Sequence, residues 1–367
     1  MMFLNTLSII IALVSWNDVI ASEWWNGWSP HDNNDRYQRE PLPITPTATK
    51  TEFKQLWYTK LNGPVQMSPT VYQHYVYVAT WTGTFYCLQA NNGIILWQRN
   101  LSNFINNDRV YVSRTSPLVY NNMIILGLTD VSITLSKPGN GSYVIAFDRF
   151  TGVLLWQNRV SSHPTSRLTS APQLANNMLF IGISSIEEGL AGDPKYPCCT
   201  FQGSVIALNA STGTFLWETK MMPDNNGTTT GYAGASIWGS QFPVDYKRNQ
   251  IYVTTGNFYT LPALIEKCVT ETSNLTLYSD PCDQPGAYGQ AVVALDMTTG
   301  IVRWGRNLGF MNAFNKACNS VSNVNYPCPP NPGNDSDFGQ APILKLNLRY
   351  KLGGQNRDQL FVGQKSG

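Results

Sequence analysis

The sequence predicts an all-β propeller built from four-stranded blades, and three observations carry that expectation. First, a small residue (Cys87, Ala146, Ala207, Ala294) stands six positions before a glycine (Gly93, Gly152, Gly213, Gly300), and a tryptophan (Trp97, Trp156, Trp217, Trp304) follows each glycine by four. Spacing this regular is an internal repeat in four copies. Second, the clearest copies, YVIAFDRFTGVLLW and SVIALNASTGTFLW, place Asp or Asn ahead of Thr-Gly. The short side chain can bond its own backbone and the glycine supplies positive φ, so each copy is a β-hairpin. Third, each hairpin is preceded by the same succession of strand, Asn-rich or Lys-Arg-Asn turn, and strand. A hairpin cannot bury a tryptophan alone, so hairpins that repeat one at the same place are expected to pack face to face around a ring.

Taken in order, the chain opens with MMFLNTLSIIIALVSWNDVIAS, whose apolar run from Leu7 to Val14 is followed by Val19-Ile-Ala21. The run is far shorter than the roughly 20 residues that span a bilayer. With small residues ahead of Ala21 or Ser22 it reads as a signal peptide over residues 1–22, leaving a propeller over 23–367. No Lys or Arg precedes the run, so an uncleaved anchor is the alternative. EWWNGWSPHDNNDRYQ, aromatic and without periodicity, is expected to be a loop on the rim of the first blade. KQLWYTKLNG, SPTVYQHYVYVATWTG and the first repeat make the first blade. RTSPLVYNNMIILGLTD, RLTSAPQLANNMLFIGISS and IWGSQFPVDYKRNQIYVTTGN open the next three. GQAPILKLNLRYKLGGQNRDQLFVGQKSG supplies two strands of a fifth. An open propeller leaves raw strand edges, so the sequence reads as about four and a half blades of a longer protein. A closed four-bladed ring is the alternative.

Composition narrows the function. Only 13% of residues are charged, the net charge is +2, and there is no Lys/Arg run, which argues against a nucleic-acid partner. Six Asn-x-Ser/Thr sequons begin at Asn100, Asn140, Asn209, Asn226, Asn274 and Asn334, and seven cysteines suit an oxidising compartment. Cys87 takes a position that is alanine in the other repeats, so it reads as a buried strand residue. Cys268 with Cys282, and Cys318 with Cys328, look like loop staples. Cys198 and Cys199 either pair with each other or with distant partners.

The A-x-D-x-x-T-G-x-x-x-W repeat resembles the tryptophan-docking motif of the pyrroloquinoline quinone (PQQ) dehydrogenases, eight-bladed propellers that oxidise alcohols or sugars. The resemblance covers nearly all of residues 23–367, and PCCTFQGSVIALNASTGTFLW, GYAGASIWGS and NDSDFGQAP look most like the polyvinyl-alcohol-dehydrogenase-like branch. It implies PQQ and Ca²⁺ as cofactors, an alcohol substrate, small or polymeric, a separate electron acceptor, and a secreted or periplasmic location. GISSIEEGL is similar to the segment whose glutamate binds Ca²⁺, at Glu187 by ungapped alignment or at Glu188 with one insertion. TTGN resembles the Gly-Thr-Gly-Asn whose asparagine, here Asn257, gives the same ion an oxygen; hard cations take such ligands. Trp238 in GASIWGS matches the tryptophan that forms a floor under the quinone. NDSDFGQAP matches the acidic segment at Asp337, implied as a further ligand and as the general base, with Asp335 the near alternative. Lys365 in VGQKSG stands where relatives place a cation against the quinone oxygens. Thr169, Ser184 and Arg114 resemble positions that hold a PQQ carboxylate. No C-x-x-C-H haem motif is present. Two other classes compete: a non-catalytic propeller scaffold, which keeps the tryptophans and loses the acidic and amide ligands, and a lectin using Trp24, Trp25 and Trp28.

Overall fold

The computed structural model describes residues 25–36, 55–134, 137–272, 281–319, 328–329, 332–348 and 355–366; the signal-peptide segment, Trp24 and Asn274 lie outside them. Four antiparallel sheets follow one another, each a meander of four consecutive positions. The first is Thr70–Tyr72, Tyr75–Ala79, Thr84–Gln89 and Ile95–Asn100. In the second, Leu118–Tyr120 leads to Met123–Asp130, Ser142–Asp148 and Leu154–Ser161. The third runs from Gln173–Ala175 through Met178–Ser185 and Ser204–Asn209 to Phe215–Lys220. The fourth comprises Val244–Asp245, Gln250–Thr254, Ala291–Asp296 and Val302–Asn307. A hairpin of Ile343–Leu348 and Arg357–Phe361 supplies two strands of a fifth. These are the blades expected from the repeats.

The repeat spacing has a mechanical explanation. In every sheet the small residue pairs across the strands with the tryptophan: Cys87 with Trp97, Ala146 with Trp156, Ala207 with Trp217 and Ala294 with Trp304. The register shifts just after each pair, and the small partner leaves room for the indole. The turn then works as its residues dictate. Asp148 Oδ1 accepts the Phe150 and Thr151 N–H groups and the Thr151 hydroxyl, and Asp296 Oδ1 does the same for Thr298 and Thr299. Gly152 and Gly300 sit at φ +66° and +72°.

Trp97, Trp156 and Trp217 each dock on the glycine turn of the following sheet. A Cβ on Gly152 would lie 2.9 Å from Trp97, one on Gly300 would lie 2.6 Å from Trp217, and one on Gly213 would overlap Trp156. Trp97 and Trp217 also donate their indole N–H to Arg149 O and Met297 O, each at 3.1 Å. The KQLW segment, grouped in sequence with the first blade, is not one of its four strands. Trp57 lies over Gly93, donates to Ala90 O at 2.8 Å, and Thr59 Oγ1 donates to Gly93 O at 2.6 Å. Trp217 and Thr219 make the matching contacts to the Gly300 turn. Trp57 is thus a fourth docking tryptophan, missed in sequence because no Asp-x-x-Thr-Gly turn precedes it. Trp304 differs from the buried members in being 41% exposed.

Residues 25–36 do not rest on the first blade's rim as expected. They cross the innermost strands of all five sheets as a strap. Trp25 bridges to Val71, Asn26 exchanges hydrogen bonds with Val119, and Gln173 donates to Asp32. Val244 N–H then donates to Asp32 O, Leu344 N–H to Asn33 O, and Lys345 pairs with Asp35 at 3.0 Å. The cysteine pairs are Cys268–Cys282, Cys318–Cys328 and Cys198–Cys199, and Cys87 is a free, buried strand residue.

Candidate active site

In a four-stranded meander the start of the first strand and the end of the second lie at the same edge of the blade. Loops from these two places therefore converge, and they line a cavity of about 630 Å³. Gln66, Arg114, Thr169, Trp238 and Asp337 come from segments ahead of innermost strands, whereas Glu188 and Lys365 follow second strands. Trp28 of the strap completes the wall, with the Arg36 guanidinium 5.1 Å from its ring centre.

Five residues singled out in sequence, Arg114, Thr169, Trp238, Asp337 and Lys365, line this one cavity. Ser184 stands behind the wall: its hydroxyl lies 3.2 Å from Thr169 Oγ1 and donates to Arg167 O at 3.0 Å. Asn257 is fully buried in the acidic loop. Its backbone N–H donates to Asp337 Oδ1 at 2.6 Å, its amide to Asp335 Oδ1 at 3.1 Å, and its side-chain oxygen accepts the Ser336 N–H at 3.2 Å. Glu187 does not face the cavity. Its carboxylate is wholly buried and turned towards Thr200 and Phe201, and the neighbouring Glu188 takes the cavity position. Cys198 and Cys199 do not line it either.

Glu188, Asp335 and Asp337 bring carboxylate oxygens within 4.8 Å of one another. Lys365 Nζ bonds Asp335 at 2.6 Å and Asp337 at 3.1 Å, so three acids face one ammonium. Burial, then the charges of Asp337 and Asp335, push the Glu188 carboxyl up to about 8. Burial also raises Asp337, against the pull of Lys365 and the Asn257 N–H. Burial disfavours the Lys365 ammonium, but its bonds to the two aspartates carry it above its ordinary value. An excess of carboxylate over ammonium held this way is a donor set for a hard cation.

Two further features mark a place for an acceptor-rich ligand. The indole N–H groups of Trp28 and Trp238 are buried and have no hydrogen-bond partner among the described residues. Gly256 is required by close approach: a Cβ there would overlap Asp337 Oδ1 and lie 2.9 Å from Trp238 Nε1. Gly256→Ala is accordingly expected to cost about 1–3 kcal/mol in urea unfolding through overpacking. Gly339→Ala, with nothing within 4 Å of its Cβ, is expected to leave the midpoint unchanged. Trp28 and Glu188 are the residues sequence reasoning had not placed here. Glu188 could be named only as an alternative, and the aromatic strap carries no periodicity.

The PQQ-repeat family model described as "Outer membrane protein assembly factor BamB" matches residues 50–263. The polyvinylalcohol dehydrogenase of Sphingopyxis sp. (strain 113P3) is 28% identical over 362 residues, covering 95% of this chain and 48% of that protein. The polyvinylalcohol dehydrogenase of Pseudomonas sp. is 28% identical over 367 residues, covering 95% and 49%. The chain thus spans about half the length of these relatives. Quinohemoprotein alcohol dehydrogenase ADHIIG from Pseudomonas putida HK5 shares the fold, with a TM-score of 0.60 at 18% identity over 94% of this chain and 45% of that one. With more than half of its residues under the repeat model and its sheets arranged as described, the chain belongs to the PQQ-dependent dehydrogenase-like propeller family.

Proposed function

We propose that the chain carries the active-site face of an exported, PQQ- and Ca²⁺-dependent alcohol dehydrogenase. The observation that carries this reading is the meeting of an acidic triad, an ammonium and a flat indole in one cavity. A planar, oxygen-rich quinone fits the two unpartnered indole N–H groups and the aromatic wall. A divalent cation fits the surplus carboxylate. Glu188, Asp337 and the Asn257 side-chain oxygen would hold Ca²⁺, the role first given to Glu187 passing to Glu188. Trp238 would lie under the quinone, Arg114 and Thr169, the latter backed by Ser184, would take its carboxylates, and Lys365 its ring oxygens.

PQQ, when bound, supplies the two-electron acceptor that the protein's own side chains lack. Asp337 takes the hydroxyl proton of the alcohol, and Lys365 holds its carboxylate in place. The polyvinylalcohol dehydrogenase relatives support a secondary or polymeric alcohol as substrate, with a separate protein or dye receiving the electrons. Three paired cystines support an oxidising compartment, extracellular or periplasmic. Among the described sequons, Asn100, Asn226 and Asn334 are exposed, whereas the Asn140 amide is taken up by Tyr111 and Tyr143. No helix among the described residues is long and apolar enough to cross a membrane.

Adding PQQ and Ca²⁺ to the purified chain and following dye reduction with primary, secondary and polymeric alcohols tests the proposal. Quenching of tryptophan fluorescence by PQQ and alcohol-dependent turnover are expected. Absence of quenching would leave the scaffold reading standing. The cation site adds a pH signature. Glu188 keeps its proton to about 8 in the folded metal-free chain but loses it near 4.5 once unfolded. Its contribution to stability is therefore full below about 4.5 and is lost as pH rises through about 8. Ca²⁺ expels that proton, so its affinity is expected to rise tenfold for each pH unit below about 8 and to level off above. Calorimetric titrations at several pH values read this directly.

A further inference from the structure

The buried, uncharged-looking side of the cavity turn carries a second carboxylate that the proposed chemistry does not use. Glu187 is fully buried and receives donors from one short segment of chain. The Thr200 N–H reaches its two oxygens at 2.9 and 3.0 Å, the Phe201 N–H reaches Oε2 at 2.7 Å, and the Tyr196 hydroxyl donates to Oε1 at 2.9 Å. That segment is itself fixed. The buried cystine Cys198–Cys199 precedes it, Asn225 donates to Thr200 O at 2.9 Å, and the Phe201 carbonyl accepts the Gly234 N–H at 2.8 Å.

Glu187 and Glu188 open a single helical turn, Glu187–Leu190, whose N-cap Ile186 makes no side-chain capping bond. One turn of helix has almost no stability of its own, so its rotation about the axis must be set from outside. Successive side chains on such a turn diverge by about 100°. Fastening Glu187 to the 196–201 segment therefore turns Glu188 to a different face, towards Asp335 and Asp337.

We propose that Glu187 is the positioning residue of the cation site: its carboxylate, clasped by the Thr200 and Phe201 amides, holds Glu188 in ligating orientation. This rests on the cation reading above. A carboxylate accepts at every lone pair, whereas a glutamine would turn an N–H₂ against an amide N–H. Glu187→Gln keeps the shape and removes the clasp.

Calorimetric titration of Ca²⁺ into the wild type, Glu187→Gln and Tyr196→Phe, with thermal unfolding of each in chelator, tests the inference. Glu187→Gln is expected to weaken Ca²⁺ binding ~10–100-fold, the usual cost of losing a ligand's supporting partner. Tyr196→Phe, which removes the hydroxyl's bonds to Glu187 and Thr165 and buries no new polar group, is expected to weaken it roughly 2–10-fold and serves alone if the glutamine variant does not fold. A structural role without positioning would lower the metal-free unfolding temperature and leave the Ca²⁺ Kd unchanged in both variants; that result overturns the inference while the cation reading stands. No Ca²⁺ binding by the wild type overturns both.

Discussion

Asp337→Asn is expected to lower alcohol-dependent dye reduction by ~10²–10⁴-fold, the usual contribution of a positioned general base, while PQQ still quenches tryptophan fluorescence. The variant keeps the oxygen that accepts the Asn257 N–H and loses the ability to take a proton. It also sets an amide N–H₂ against the Lys365 ammonium, which retains Asp335 as its partner at 2.6 Å. Unchanged turnover would remove Asp337 from the base role and pass it to Asp335, which shares the triad. Loss of quinone quenching along with turnover would instead assign Asp337 to binding.

Trp217→Ala is expected to cost about 3–5 kcal/mol in urea or thermal unfolding, the range for deleting a large buried aromatic. Its indole is 8% exposed, touches the Gly300 turn and donates to Met297 O at 3.1 Å. Removing it opens a cavity between two blades and leaves a carbonyl without its donor. Trp304→Ala provides the control. That side chain occupies the same place in its repeat yet is 41% exposed, and it packs chiefly against Tyr252 at 5.9 Å between ring centres. Its loss is expected to be at most a third as large. Equal losses at the two positions would show that docking on the next blade is not what these residues contribute.

The blade plan was legible because each repeat encodes its own mechanics: a small residue to seat an indole, an acid or amide to fold a turn, a glycine to take positive φ. The cavity was partly legible for a related reason. Arg114, Thr169, Trp238, Asp337 and Lys365 were named on their resemblance to the loops of PQQ dehydrogenases, and strand order, which fixes which loops share a rim, brings them together. What sequence could not resolve depended on rotation or on long-range contact. Which of Glu187 and Glu188 faces the cavity is a matter of direction around a four-residue turn, where the Thr200 and Phe201 amides hold Glu187 away from it. Trp57 docks without a repeat in front of it, and Trp28 reaches the cavity from a segment with no periodicity to read. Cys198 and Cys199 offered two pairings, and neighbours in sequence turned out to be partners.

The strap of residues 25–36 bears on the order in which the molecule can be built. It precedes every blade in the chain, yet Asn34 donates to Pro342 O, 308 positions away, at 3.0 Å. Its docking must wait until the fifth sheet's first strand has been made, whereas each meander closes among near neighbours. Contacts of such sequence separation form slowly, so the axial wall that includes Trp28 is set last, after the blades it spans have already assembled.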